Sequence, residues 1–336
     1  MKKLSIFLAF VMLIISFSLV GCGKKNNELV VNEVARSIFY APMYVAITNG
    51  YFEDEDISIS LVTGNGADQS MTALLSGNAD IGLMGPEAAI YVKSGGAQNS
   101  PVVFGQLTKR DGSFLIARTA MPNFQWSDLQ GKEVIAGRRG GVPAMTLQYT
   151  IEEINSLTIG TGATEVKFNL DVSFPLMAPT FDSGVGDYVT LFEPTASEFV
   201  AAGKGHIVAS VGQASGPVPY TAFMAKQNWL TSNEDKAVGF LRAIIKGYRF
   251  LLTATNDQIA TALSPFFTSI SSASIYASIQ SYVSIDAWAN TPVMAEAQFN
   301  KLQDIMENAN ELDDGRVSYW DVVNNSFAYS AIASLA

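Results

Sequence analysis

The sequence predicts an α/β protein of two lobes, each a mainly parallel sheet with flanking helices, and three observations carry that prediction. Short β-rich runs alternate with helical stretches from residue 28 to residue 85, the pattern of βα units. A middle block beginning near residue 113 repeats the alternation and then gives way to a mostly helical remainder. At 336 residues the chain is long enough for two lobes with separate cores.

The first element, ELVVNEV (28–34), is a short β-rich run. Phe39, Tyr40, Ala41 and Pro42 crowd the turn after it, ahead of a helix from Met43 to Asn49 closed by Gly50. ISISLVT (57–63) alternates as a half-buried strand does. GNGADQ (64–69) is a turn-rich loop opening a helix from Ser70 to Leu75 that stops at Gly77, and ADIGLMG (79–85) is a third apolar strand. SFLIAR (113–118) starts the second set. SDLQGKEVIAGRRGG (127–141) then gives a turn, a strand and a Gly-rich loop leading into a helix around 144–154. DYVTLFEP (187–194) and HIVAS (206–210) add strands.

From VPYTAFMA (218–225) onward helices dominate. Ser232 is placed as the N-cap of a helix with Ala237, Leu241, Ile244, Tyr248 and Leu251 on one face. Thr291-Pro292 is placed as the N-cap and first residue of another, with Phe299, Leu302 and Ile305 inward. The first lobe is therefore discontinuous, 29–110 with 222–336, around a second lobe at 111–221. Two crossings, near 108–114 and 217–223, make a hinge, and ligand sites favour such interfaces.

Charged residues are 15% and apolar ones 48%, the balance of a packed globular chain. Lys2 and Lys3 precede a mostly apolar run from Leu4 to Val20, followed by Gly21 and Cys22, the layout of a secretory signal over 1–21. Ser5, Ser16 and Ser18 interrupt that run, which barely spans a bilayer, against a transmembrane anchor. Leu19-Val20-Gly21-Cys22 resembles a bacterial lipobox. That implies a lipid on Cys22, a polar tether over 22–28 and a place on the outer face of the cell membrane. Cys22 is the only cysteine, so neither an internal disulfide nor a cysteine metal site is possible. Loss of the signal would leave 19 basic against 31 acidic residues, a net charge of −12, which repels phosphate backbones and argues against nucleic-acid partners.

FYAPMYVAITNGYFEDEDISISLVTGNGADQSMTALLSGNADIGLMGPEAAI (39–90) resembles the N-terminal half of the solute-binding proteins of ABC importers, in the group with sulfonate-, nitrate- and thiamine-pyrimidine-binding members. SDLQGKEVIAG (127–137) and GVGDYVTLFEP (184–194) resemble second-lobe motifs of that group. The resemblance covers nearly the whole chain after Cys22. It implies a type II periplasmic-binding-protein-like clamp that closes on a small-molecule solute and presents it to a permease and its ATPase. It also implies a monomer, no cofactor and no bond chemistry. Asp56 stands where the family usually has glycine, at a left-handed helix end that Asp tolerates better than most residues. Residues between Ala163 and Ser183 match the family poorly.

In that family the loop after the first strand faces the cleft, so the matching Ser37, Phe39, Tyr40 and Tyr44 are candidate contacts for a flat, stacking solute. The competing reading puts Phe39 and Tyr44 in the core under the first helix. Gly64, Asn65, Gly66 and Ala67 offer freed amides at a helix N-terminus, suited to a sulfonate, nitrate or carboxylate, or are a plain flexible turn. Gly85 and Glu87 follow the third strand, at the carboxyl ends of the sheet where ligands usually bind. Arg138 and Gly140, in GRRGG (137–141), would bridge the lobes or reach an anion, or be solvated. The run lacks the Gly-Lys-Ser/Thr ending of a P-loop.

Asp187 and Glu193 lie in the best second-lobe match. A carboxylate facing the cleft would take an amino group or ring N–H and reject anions, with turn capping as the alternative for Asp187. Glu87, Asp187 and Glu193 with Tyr40 and Phe192 suggest a nitrogen heterocycle such as a thiamine pyrimidine precursor. Arg138 with the amides of 64–68 would suit an alkanesulfonate, taurine or nitrate-type anion. His206 is the single histidine and yields no metal cluster or nucleophile elbow. A pyrimidine-synthesising enzyme of the same superfamily, which uses a histidine and a cysteine-rich motif, is therefore the weaker reading, beside a ligand sensor on the same fold.

Overall fold

The computed structural model describes residues 27–336, so the signal, Cys22 and the first tether residues lie outside the described residues. The two sets of βα units form two five-stranded sheets. The first holds β1 (Glu28–Glu33), β2 (Ser58–Thr63), β3 (Ile81–Met84), β4 (Pro101–Thr108) and β10 (Thr221–Lys226), in the order β2-β1-β3-β10-β4. The second holds β5 (Ser113–Ala117), β6 (Glu133–Ile135), β7 (Lys167–Asn169), β8 (Tyr188–Phe192) and β9 (His206–Ser210), in the order β7-β6-β8-β5-β9.

The two sheets share one plan. β1 is parallel to both its neighbours, and so is β6. β10 and β5 are antiparallel to both of theirs. Each sheet is thus mixed, with four strands in one direction and one against, and the reversed strand is the one that enters after a crossing. β3 and β4 are buried along their whole length, as strands covered on both faces are.

The chain passes between the sheets at 109–112 and returns at 216–220. These segments lie side by side. The Val218 N–H donates to the Lys109 carbonyl at 2.9 Å, and the Tyr220 N–H to the Thr108 carbonyl at 3.1 Å. The Thr108 and Thr221 hydroxyls meet at 2.6 Å where the second crossing enters β10.

Several element starts differ from the sequence expectation. The helix after GNGADQ starts at Ala67. Ser232 ends the helix Gln227–Ser232, and Asn233 precedes the next, Glu234–Thr253. The face assigned to that long helix is inward, with Ala237, Leu241, Ile244 and Leu251 buried. Thr291 and Pro292 do not start a helix. Residues 287–292 run along the free edge of β4 instead: the Ala289 N–H donates to the Leu107 carbonyl at 2.9 Å, and the Gln106 N–H to the Pro292 carbonyl at 2.8 Å. Proline serves there because an edge position can dispense with its N–H. The helix begins at Glu296 and keeps Phe299, Leu302 and Ile305 fully buried. Asp56 has a φ of +54°, the left-handed conformation its place after a helical turn implies.

Candidate functional site

A cavity of about 100 Å³ opens between the lobes, at the carboxyl ends of β1, β3 and β8. Five aromatic rings stand in its wall. Phe39 lies with its ring centroid 5.7 Å from Phe192, 5.7 Å from Tyr220 and 6.0 Å from Tyr40, and Phe174 adds a fifth ring 5.4 Å from Phe192. Phe39, Tyr40 and Tyr220 are almost fully buried, Phe39 packing also 4.9 Å from Tyr282, so Phe192 and Phe174 are the rings with surface left to face a guest. Gly112, in the first crossing, lets Phe39 approach: a Cβ there would stand 2.6 Å from the ring.

Ser37 positions these rings. It N-caps the helical turn Ile38–Tyr40 by accepting the Phe39 N–H at 3.2 Å. Its hydroxyl donates across the cleft to the Glu193 carbonyl at 2.8 Å.

Glu87 supplies the cavity's buried acid. It opens the helix Glu87–Ser94 and is 2% exposed. Its Oε1 accepts the Val142 N–H from the opposite lobe at 3.4 Å, and its Oε2 has no partner. The carboxyl folds back over Gly85, where any Cβ would overlap Oε2. Burial raises its pKa to about 7, against the pull of its own amide and that of Val142. An orphaned oxygen of this burial costs free energy until a donor reaches it.

Arg138 lines the same cavity but is engaged. Its guanidinium reaches across the lobes to Asp68 with contacts of 2.7 and 3.2 Å. Both side chains are half exposed. Partial burial acts to raise the Asp68 carboxyl, yet hydrogen bonding and charge from Arg138 hold it below the usual range. Gly66 and Ala67 border the cavity beside this pair. Gly140 lies in an adjoining groove, where its carbonyl accepts the Tyr91 hydroxyl at 3.0 Å and Arg139 stands 3.8 Å from Glu311. Asn65, at φ +62°, borders a groove on the other side with Arg36 and Thr63.

Four of the candidates lie elsewhere or turn their functional groups away. Tyr44 is fully buried beneath the first helix, its hydroxyl donating to Glu33 at 2.6 Å and its ring 4.6 Å from Phe266. Gly64 packs against Asn32 and Ser70 outside the cavity. Asp187 accepts the Glu133 N–H at 2.9 Å and so ties the loop before β8 to the start of β6. The Glu193 carboxylate turns onto the helix Thr195–Ala201, taking the Ser197 N–H at 3.0 Å and its hydroxyl at 2.7 Å.

Tyr220, Phe174, Met177 and Thr190 line the cavity without having been singled out from the sequence. Phe174 and Met177 fall in the stretch that matches the family poorly. Tyr220 sits inside VPYTAFMA, which the sequence marks only as the point where helices take over, although its place in the second crossing was a usable signal. Among the described residues no group of His, Cys, Asp and Glu is arranged to hold a metal ion.

Comparison with known proteins agrees with this architecture. The family model described as NMT1/THI5 like matches residues 38–256. YtlA of Bacillus subtilis (strain 168), whose name places it among binding proteins without stating a ligand, is 39% identical over 314 residues, covering 93% of this chain and 92% of its own. In structure the chain resembles the alkanesulfonate-binding protein SsuA from Xanthomonas axonopodis pv. citri bound to MOPS, with a TM-score of 0.71 at 14% identity over 90% of this chain and all of that one. It also resembles the periplasmic nitrate-binding protein NrtA from Synechocystis PCC 6803, with a TM-score of 0.69 at 13% identity over 92% of this chain and 89% of that one. At such identities the structural likeness carries the fold. The family match over well more than half of the chain, with the YtlA relationship, carries the membership: the chain belongs to the NMT1/THI5-like family.

Proposed function

We propose that this chain is the solute-binding subunit of an ABC importer, holding a small flat nitrogen heterocycle between its lobes and handing it to a permease. A thiamine pyrimidine precursor is the type of solute meant. The observation that carries the ligand class is the partnerless Oε2 of Glu87, buried among the rings of the cavity wall. An amino group or ring N–H satisfies that oxygen while the ring stacks on Phe192 or the edge of Tyr40. Asp187 and Glu193, occupied as caps, leave this role to Glu87 alone. A lipid on Cys22 would keep the clamp beside its permease, on the outer face of the membrane.

An alkanesulfonate or nitrate-type anion is the second reading, because Arg138 borders the cavity. Against it stands the double contact with Asp68, which an anion would have to displace. Thermal unfolding of the full chain against pyrimidines, flavins, sulfonates, nitrate and amino acids separates the two. A solute at ~100 times its dissociation constant stabilises by about 2.7 kcal/mol. The expected result is a raised midpoint with an aminopyrimidine that Glu87→Gln abolishes. A shift confined to sulfonates or nitrate and lost in Arg138→Gln would replace the heterocycle reading, and no shift with any compound would count against solute capture itself.

A further inference from the structure

The crossings between the lobes hold a buried carboxyl that the solute cavity does not use. Asp111 lies in the first crossing and is fully buried. Its Oδ1 accepts the Ser113 N–H at 2.6 Å, and its Oδ2 has no hydrogen-bond partner. Among the described residues no cation pairs with it. Neighbouring Arg110 donates to the Gly212 carbonyl at 3.2 Å, and Lys301 donates to the Ser215 and Pro217 carbonyls at 2.7 and 3.0 Å. Helix Val211–Ser215 seals the spot, since any Cβ at Gly212 would overlap the Asp111 backbone.

The group facing Asp111 from the second crossing is Tyr220. Its hydroxyl is buried and makes no well-formed hydrogen bond, yet it faces the Asp111 carboxyl closely enough to pull that carboxyl down while Asp111 pushes the phenol up. The Tyr220 ring is a wall of the solute cavity, edge-on to Phe39 at 5.7 Å, and Glu87 and Tyr40 act on the phenol from the cavity side. Tyr220 therefore meets the hinge carboxyl with its hydroxyl and the solute cavity with its ring.

We propose that Asp111 is a positioning residue for the solute site: uncharged, it holds Tyr220 against the cavity in the closed molecule, and ionised, it favours the open one. The reason is desolvation. A carboxylate with no cation and one orphaned oxygen is costly in the sealed hinge, and parting the lobes draws Lys301, on a first-lobe helix, off the helix Val211–Ser215 that covers it, which loosens that cover to water. Burial raises the Asp111 carboxyl to about 7. An acid whose pKa is higher in the closed state favours closure at low pH. That preference fades as pH rises from the ordinary aspartate range, near 4, to about 7, and is level above it. The inference rests on the opening and closing clamp of the proposed function but not on its solute or its permease, and the test uses neither.

Spin labels at the exposed positions 72 and 183, introduced as Thr72→Cys and Ser183→Cys in the full chain, read the interlobe distance from pH 4 to 8. Cys22→Ser removes the competing thiol, and Glu87→Gln removes the other raised carboxyl that touches the opposite lobe. The expected result is a shift toward longer distances on raising the pH, at most tenfold in the open-to-closed ratio per pH unit, which Asp111→Asn abolishes. Tyr220→Phe, which deletes one oxygen, should move the midpoint of the shift. At pH 6 the infrared spectrum should lose one protonated-carboxyl band in Asp111→Asn. A pH response that persists in Asp111→Asn overturns the proposal, and so does a Tyr220→Phe midpoint equal to that of its parent. A failed solute screen leaves the distance measurement, and with it the role of Asp111, untouched.

Discussion

At the scale of single residues, buried carboxyls set how this protein responds to pH. Glu87, Glu33 and Asp111 are fully or almost fully enclosed, and burial raises each to about 7. For Glu87 the contribution to folding stability is whole below about 4.5, its unfolded value, and declines as pH climbs to about 7, where it levels off. At about 1.4 kcal/mol per unit, Glu87 alone accounts for a loss of roughly 3 kcal/mol across that window. Asp68, Glu55 and Glu307 are shifted downward and titrate below the window. The expected outcome is a thermal midpoint that falls between pH 5 and pH 7, with a shallower slope in Glu87→Gln because the amide has no proton to lose. Scanning calorimetry at half-unit intervals decides it, and equal slopes in the two proteins would show that Glu87 is hydrated in solution.

At the scale of elements, the helix Glu234–Thr253 lies against the helix Ala41–Thr48 closely enough that side chains are excluded at the contact. A Cβ on Gly247 would overlap the Pro42 carbonyl, which belongs to backbone and cannot swing aside. Two effects oppose each other in Gly247→Ala. Alanine gains up to about 1 kcal/mol in helix propensity, whereas overpacking a rigid contact costs about 1–3 kcal/mol or more. The clash wins, and urea unfolding should show a net loss of about 2 kcal/mol, while a gain would mean the two helices part freely. This contact also marks the limit of what the sequence makes legible. Periodicity is local, so strands such as ISISLVT and the inward face of Glu234–Thr253 can be read directly. Thr291-Pro292 carries a good helix-start pattern, yet an unfilled sheet edge at β4 claims it, and nothing local announces that edge. The site divides the same way. Phe39, Tyr40 and Glu87 follow strand ends, where ligand crevices form, and so could be singled out. Asp187 and Glu193 resemble site carboxylates in sequence but satisfy nearby backbone amides instead.

At the scale of the whole molecule, four polar ties ring the cavity, beside the apolar core that the two lobes share. Ser37 to Glu193, Val142 to Glu87, Tyr91 to Gly140 and Arg138 to Asp68 each join one lobe to the other. A neutral hydrogen bond adds about 1 kcal/mol and a half-exposed ion pair at most about that, so the set is worth only a few kcal/mol. A rim of that strength can part without unfolding either lobe. The ties lie outside both sheets, so weakening them should change opening and leave folding alone. In the double variant Asp68→Asn/Tyr91→Phe, the stability of the full chain should stay within about 1 kcal/mol of the parent. Amides at 140–142 should nevertheless exchange with deuterium about tenfold faster, the factor that corresponds to roughly 1.4 kcal/mol of lost closure. Saturating solute, by adding its own contacts to both lobes, should restore the protection. Unchanged exchange at 140–142 in the double variant would mean that the ring cluster, rather than the polar rim, holds the lobes together.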